Sequence, residues 1–267
     1  MEILESVGST MDAARDNVRA GLVKFDAAGR AHPVGVATRE QTAGRGQRGR
    51  HWFAPRNSNL CATFYFRPAG WRLTPSTVGH LAFLAGVAVA DVLQHHCTTV
   101  LSSSKINVSV PPRIGLKWPN DVLLNGKKMG GILIELIDWT PSTTTEWVAL
   151  IGVGLNVNVR EFPPELADQA TSLLREGLPE TDWQRLGEQI GEALPRCAAI
   201  YRDGGFPALL AHWKRYDETP GRLYETISHS SPTSIVGEAE EVEMDGSLRL
   251  RLPDGSVVSV QSATSVR

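Results

Sequence analysis

The chain has 267 residues, 42% of them hydrophobic, with a formal net charge of -2. That length suffices for one large domain, or a large and a small one, with a real core. The near-neutral balance excludes a general basic field for nucleic acid. Cys61, Cys97 and Cys197 are odd in number and far apart, so they read as buried, reduced thiols of a cytoplasmic protein. The N-terminus lacks a signal peptide's basic start and apolar core. The longest apolar run, Leu81 to Leu93, is too short for a bilayer and contains Asp91. No membrane is expected.

In chain order, Ser9 and Asp12 match the S-x-x-D capping signature, so a helix is expected from Met11 to Gly21. Val34 to Thr38 reads as a short strand, followed by Gln41-Thr42-Ala43-Gly44-Arg45-Gly46-Gln47-Arg48-Gly49-Arg50-His51-Trp52. Leu60 to Phe66 reads as a second strand. Leu81, Leu84, Ala85, Ala88 and Val92 recur at helical spacing, which predicts a helix from Thr77 to Gln94. Strands are expected at Ile114 to Trp118, Met129 to Ile137 and Trp147 to Val159, with Asn125-Gly126 as a turn and Asp138 to Thr145 as a polar connection. Two helices follow, Asp182 to Arg202 and Phe206 to Tyr216, with Pro195 expected to kink or split the first.

Successive strands favour a mixed, mostly antiparallel sheet with helices on one face, an α+β fold. After Asp217 the texture changes. Short β-type runs are separated by Asp245-Gly246 and Asp254-Gly255, so the expected division is a domain at 1–217 and a small all-β domain at 218–267.

No Asp or Glu occurs between Gln41 and Ala90, a stretch holding Arg45, Arg48, Arg50, Arg56, Arg67 and Arg72. Gly44, Gly46 and Gly49 let the backbone approach a ligand, and the arginines add forked donors for phosphate or carboxylate. The pattern is not a Walker loop. A solvated face, a plain turn and an RNA-binding RG segment compete with anion binding.

In Lys117-Trp118-Pro119-Asn120-Asp121, Asn120 and Asp121 offer polar groups at a bend. Trp118 and Trp52 are candidate flat walls for a ring. Lys128 stands beside Gly130 and Gly131, where it would neutralise charge built up in nucleotidyl transfer. An exposed Lys-Lys pair at a hairpin is the bland alternative. Gly152-Val153-Gly154 lacks the third glycine of a dinucleotide fingerprint and leads into strand-like residues, so it reads as a strand interrupted where a ligand lies, with Asn156 facing it. Ser9 and Thr10 are read first as helix caps, second as partners of a small polar ligand. The seven histidines have no zinc-ligand spacing, and no nucleophile triad is present.

Together these segments, with Gly8-Ser9-Thr10 and Ala170-Thr171-Ser172-Leu173, resemble the biotin–protein ligases in order and spacing from residue 1 to about 175. The resemblance implies a catalytic domain like class II synthetases and a C-terminal SH3-like β-barrel. It implies that biotin's carboxylate attacks the α-phosphate of ATP, giving biotinyl-5′-AMP, before a lysine of a biotin carboxyl carrier protein takes the biotin. It implies catalytic roles for Lys128 and Arg45. The biotin-binding residues it implies are Ser9, Thr10, Met11, Gln41, Gly44, Arg45, Gly46, Gln47, Lys128, Gly131, Gly152 and Gly154. The adenylate-binding residues are Arg48, Arg50, Trp52, Asn120, Asp121 and Asn156. Mg2+ would accompany ATP, with its ligands unassigned. Two positions depart from the family pattern: Met11 stands where Asn is frequent, and Gln47 where Arg is frequent. Met1 lies eight residues before Ser9, so no helix-turn-helix and no DNA binding are expected; a homodimer is left open. The rivals are a lipoate–protein ligase and a non-catalytic nucleotide- or RNA-binding module.

Overall fold

The computed structural model describes residues 1–27, 29–67, 77–103, 111–139, 146–227, 234–261 and 263–265. Arg72 and the part of the expected polar connection at 140–145 lie outside the described residues. The elements of the main body are β1 (Glu2–Leu4), α1 (Thr10–Arg19), β2 (Lys24–Phe25), β3 (Ala31–His32), β4 (Gly35–Thr38), β5 (Asn59–Phe66), α2 (Val78–Ser103), β6 (Ile114–Lys117), β7 (Asp121–Leu124), β8 (Lys127–Trp139), β9 (Glu146–Asn156) and α3 (Trp183–Trp213).

Seven strands form one sheet in the order β1-β4-β5-β9-β8-β7-β6. Only β1 and β4 run parallel; every other neighbour pair is antiparallel. The mixed, mostly antiparallel α+β reading therefore describes the main body. The helices, however, cover both faces. α2 and α3 pack on one through Leu60, Ala62, Phe64, Ile151, Val153 and Leu155. α1 packs on the other, placing Met11, Ala14 and Val18 against Val36, Tyr65, Val148 and Leu150. Alternation along β5 and β9 sends apolar side chains to both sides, so one covered face would leave the other in water.

By length and composition alone α2 is a candidate membrane span, and it runs further than the sequence pattern indicated. In the fold its Leu81, Leu84, Val87, Ala88 and Leu93 lie in the core. α3 is capped by Asp182, whose Oδ1 accepts from the N–H groups of Gln184 at 2.9 Å and Arg185 at 3.1 Å. Its break falls at Gly205 (φ 67°), not at the expected Pro195, where the helical dihedrals persist. A positive φ there suits glycine, and Pro207 then falls in the first turn of the second piece, where a missing N–H costs little.

The terminal strands are β10 (Leu223–Ile227), β11 (Ser234–Val242), β12 (Leu248–Arg251), β13 (Val257–Val260) and β14 (Thr264–Ser265). Asp245-Gly246 and Asp254-Gly255 make the expected turns, with φ of +86° at Gly246 and +85° at Gly255. The expected SH3-like barrel is not formed. Among the described residues this is an open sheet, β13-β12-β11-β10-β14, with its end strands at opposite edges. Tyr224, Ala239, Val242, Leu248 and Leu250 instead join the same core cluster as Trp118, Phe83 and Phe206. The sheet buries its apolar face against the main body, which removes the need to close on itself.

The three cysteines are buried free thiols. Burial pushes Cys61 and Cys197 up to about 12 and Cys97 up to about 11.

Candidate active site

The floor of the main cleft is a patch of the sheet without side chains. On the α1 face of β9 stand Gly152 and Gly154, opposite Thr63 and Cys61 of β5 and Leu133 and Gly131 of β8. A Cβ on Gly154 would lie 2.8 Å from the Trp52 ring, and one on Gly152 2.8 Å from the Met11 sulfur. Trp52 thus lies directly on the backbone of β9, and the Met11 thioether fills the space beside it.

The glycine-arginine segment is an ordered lip over this floor. Trp52 N donates to Gly44 O at 2.9 Å and Gly46 N to Arg50 O at 2.7 Å, so the segment pairs with itself around a 3-10 turn at Gln47–Gly49. Arg48 has φ 58° and Gly49 φ 72° at the tip. Gly44 is required by packing: its Cβ would meet Gln41 Nε2 at 2.7 Å and Trp52 O at 2.9 Å.

The α1 end of the cleft departs from the capping expectation. The Ser9 side chain makes no capping bond. Gln41 does that work from outside the helix, its Oε1 accepting from Thr10 N at 2.9 Å and Thr10 Oγ1 at 3.2 Å. Thr63 Oγ1 donates in turn to Thr10 Oγ1 at 3.0 Å. Asp12, the expected capping-box partner, faces Arg45 instead, accepting from both of its terminal nitrogens at 2.7 Å. Arg15 bonds Asp12 at 2.6 Å and Glu135 at 2.5 Å. The hydrogen bond from Arg45 foremost, supported by Arg15 and opposed by partial burial, holds the Asp12 carboxyl down at about 2.

At the other end, Lys128 owes its position to a bulge. β7 and β8 pair Asp121 with Gly131 and Val122 with Gly130, then Leu123 with Lys128. Met129 is the extra residue. Without it Lys128 and Gly131 would point to opposite faces; with it both stand on the face of Asp121. Segment 169–171 clamps the backbone there, with Lys128 N donating to Gln169 O at 2.8 Å and Thr171 N to Lys128 O at 2.9 Å. Asp121 accepts from Lys128 Nζ, and from Lys117 Nζ at 2.8 Å. Burial opposes its charge, but the two lysines outweigh burial and hold its pKa below the ordinary carboxylate range.

One cleft of about 900 Å3 is lined by Ser9, Thr10, Met11, Gln41, Arg45, Gly46, Gln47, Arg48, Arg50, Trp52, Asn120, Asp121, Lys128, Gly131, Gly152, Gly154 and Asn156. Gly44, buried within the lip, is not part of that lining. Several of these groups are already engaged. Asn156 is buried, its amide donating to Thr171 O and accepting from Asn59 Nδ2, both at 3.1 Å. Asn120 Nδ2 donates to Ile132 O at 2.6 Å. Trp118 is not a free wall: the residue is 2% exposed and its Nε1 donates to Gly246 O at 3.0 Å.

Sequence reasoning gave no role to Lys117 and Lys127 within the motifs that hold them and passed over Asp168, Gln169, Arg222 and Ser265; all six also line the cleft. Lys117 was legible in principle, since it pairs with Asp121 across the short turn between β6 and β7. Lys127 adjoins Lys128, whereas Asp168, Gln169, Arg222 and Ser265 come from segments that sequence periodicity does not bring near the site. A second cleft of about 880 Å3, near Arg39, Asn158, Thr181 and Asp182, holds none of the residues singled out from the sequence.

Residues 26–156 match a family model described as the biotin/lipoate A/B protein ligase family. A biotin--[acetyl-CoA-carboxylase] ligase from Paracoccus denitrificans is 31% identical over 254 residues, covering 93% of this chain and 96% of its own. The bifunctional ligase/repressor BirA of Salmonella typhimurium is 30% identical over 212 residues, 79% of this chain; the chain spans only 59% of that relative's length. The fold matches a biotin protein ligase from Aquifex aeolicus solved with biotin and ATP, at a TM-score of 0.73 and 21% identity, covering 99% and 97% of the two chains. Its cleft, its motifs and its likeness to the Paracoccus enzyme over nearly the full length of both place the chain in the biotin–protein ligase family.

Proposed function

We propose that this chain activates biotin with ATP and passes it to a lysine of a biotin carboxyl carrier protein. A biotin carboxylate oxygen attacks the α-phosphorus, the bond to the β-phosphate oxygen breaks, and pyrophosphate leaves. The carrier's ε-amine then attacks the acyl carbon of biotinyl-5′-AMP, and AMP leaves. The observation that carries this reading is the single cleft in which the arginine lip and Lys128 stand over one glycine floor.

Ser9, Thr10 and Gln41 form the polar end that suits the ureido ring, with Gly131 and Gly154 offering backbone. Lys128 stands between the biotin carboxylate and the α-phosphate, where its charge opposes the repulsion of two anions. Arg45 closes over the same groups on exchanging its Asp12 partner for ligand oxygens, and Trp52, expected at the adenylate, lies against Gly154 and in this proposal walls the acyl chain instead. Asp121 pairs with both Lys117 and Lys128 and holds them in place.

Among the described residues no three His, Cys, Asp or Glu side chains form a metal site, and Asp121 is taken by two lysines. A protein-built Mg2+ cage therefore does not fit, and Mg2+ enters in this proposal only as the counterion of ATP. The setting proposed is cytoplasmic, with neither DNA nor a membrane as partner.

The test is pyrophosphate release. It should require ATP and biotin together, and lipoate should neither replace biotin nor compete with it. Release driven by lipoate, or by ATP alone, would overturn the proposal.

Two variants probe the walls. A methyl group in Gly154→Ala must move the rigid Trp52 ring; overpacking costs about 1–3 kcal/mol, so biotin affinity should fall about tenfold or more by titration calorimetry. Unchanged affinity would remove Trp52 from the site. Gln47→Arg adds a forked cation at the lip. It should slow escape of the adenylate about tenfold, the scale of one charged hydrogen bond, read as intermediate retained after rapid gel filtration. Equal escape rates would exclude a role for Gln47 in retention.

A further inference from the structure

Trp118 has three polar groups, and residues of the last fifty positions engage all of them. Trp118 N donates to Thr219 Oγ1 at 2.9 Å. Trp118 O accepts from the Tyr224 hydroxyl at 2.8 Å. Trp118 Nε1 donates to Gly246 O at 3.0 Å. Two hydroxyls and one carbonyl of the terminal segment thus hold a single residue. Thr219 and Tyr224 are 0% exposed, so no water replaces a lost member. The two rings pack edge to face, centroids 5.9 Å apart. The segment leading to β10 is itself laid along β6: Leu116 bridges Asp217, and Glu218 N donates to Leu116 O at 2.8 Å.

Trp118 sits at the turn that joins two working residues. Lys117 precedes it and Asp121 follows three residues later, and the two meet at 2.8 Å. A shift of the Trp118 backbone therefore moves Asp121, the partner of Lys128, together with Lys117, the second partner of Asp121, whereas Thr10 and Gln41 are held by each other and by Thr63 of β5.

We propose that Thr219 and Tyr224 are positioning residues for adenylation, through which the terminal sheet fixes the Lys117–Asp121–Lys128 cluster. This rests on the biotin-adenylating function above and names a part that function does not itself require. The chemistry of the cluster is unchanged by the clamp; what the clamp supplies is its placement, and misplacement is felt in the rate of the charged step more than in binding at the far end.

The test is biotin-dependent ATP–pyrophosphate exchange at saturating ATP and biotin, with biotin Kd measured alongside, on Thr219→Val, Thr219→Ser and Tyr224→Phe. The expected result is kcat down about tenfold or more in the Val and Phe variants, biotin Kd within about twofold of the parent, and recovery in Thr219→Ser, which keeps the oxygen. An unchanged kcat, a biotin Kd that worsens in step with kcat, or failure of the Ser variant to recover would overturn it. If Thr219→Val does not fold, Tyr224→Phe, which loses a single oxygen, decides. The parent protein separates the two readings: no exchange there removes the function itself, whereas normal exchange with indifferent variants removes only the clamp.

Discussion

Lys128→Ala is expected to lower biotin-dependent adenylation by about a hundred- to a thousandfold, the usual scale for losing one preorganised charge partner of a transition state. The bulge at Met129 aims this ammonium into the cleft, and the pairing of its backbone with residues 169 and 171 does not depend on the side chain. That side chain is 40% exposed, so its loss should leave the fold intact. Single-turnover formation of adenylate, with a thermal melt alongside, is the measurement. Lys128→Arg should rescue poorly, because a planar fork does not occupy the place of a compact ammonium. A folded Lys128→Ala protein with normal adenylation would remove this residue from the chemistry.

Asp121→Asn should be the most damaging of the charge changes for stability. It removes the carboxylate that neutralises Lys117 and Lys128 and leaves the two ammonium groups facing an amide. Unpairing a buried charge costs about 3–5 kcal/mol. Because Lys128 is partly in water, a loss of about 2–3 kcal/mol is expected at neutral pH. The sign with pH follows from the direction of the shift. The folded pKa of Asp121 lies below its unfolded value, so its contribution is complete above that unfolded value, near 4. It fades as pH falls through the lower folded value. Urea unfolding of both proteins at pH 7, 5 and 3 should show a gap that is constant between 7 and 5 and narrows at 3. Equal stability at pH 7, or a gap that widens on acidification, would contradict this placement of charge.

The parts of the molecule legible in the sequence are those whose signal is local. Gly44, Gly152 and Gly154 were legible as places that need bare backbone, though what lies within 3.0 Å of an added Cβ is the protein itself, Gln41 and Trp52 at Gly44, Met11 at Gly152 and Trp52 at Gly154. Asn125-Gly126 announced a turn with positive φ at both residues, which the structure has at 51° and 80°. What the sequence hid depends on contacts between distant segments. Ser9 and Asp12 match a capping box locally, yet Gln41 supplies the acceptor and Arg45 captures the acid. Strand β7 is four residues long, too short for alternation to declare itself. Whether the terminal sheet closes depends on what covers its apolar face, and that cover, Trp118 with Phe83 and Phe206, comes from residues far upstream. The same distance concealed the Trp118 clamp.

Exchange of labelled pyrophosphate into ATP, with and without biotin, is the most direct measurement of whether one cleft holds both ligands. Label should enter ATP only when biotin is present, and the Lys128→Ala protein should be nearly silent. Exchange that ignores biotin, or none at all in the folded parent, would contradict a shared site for the acid and the nucleotide.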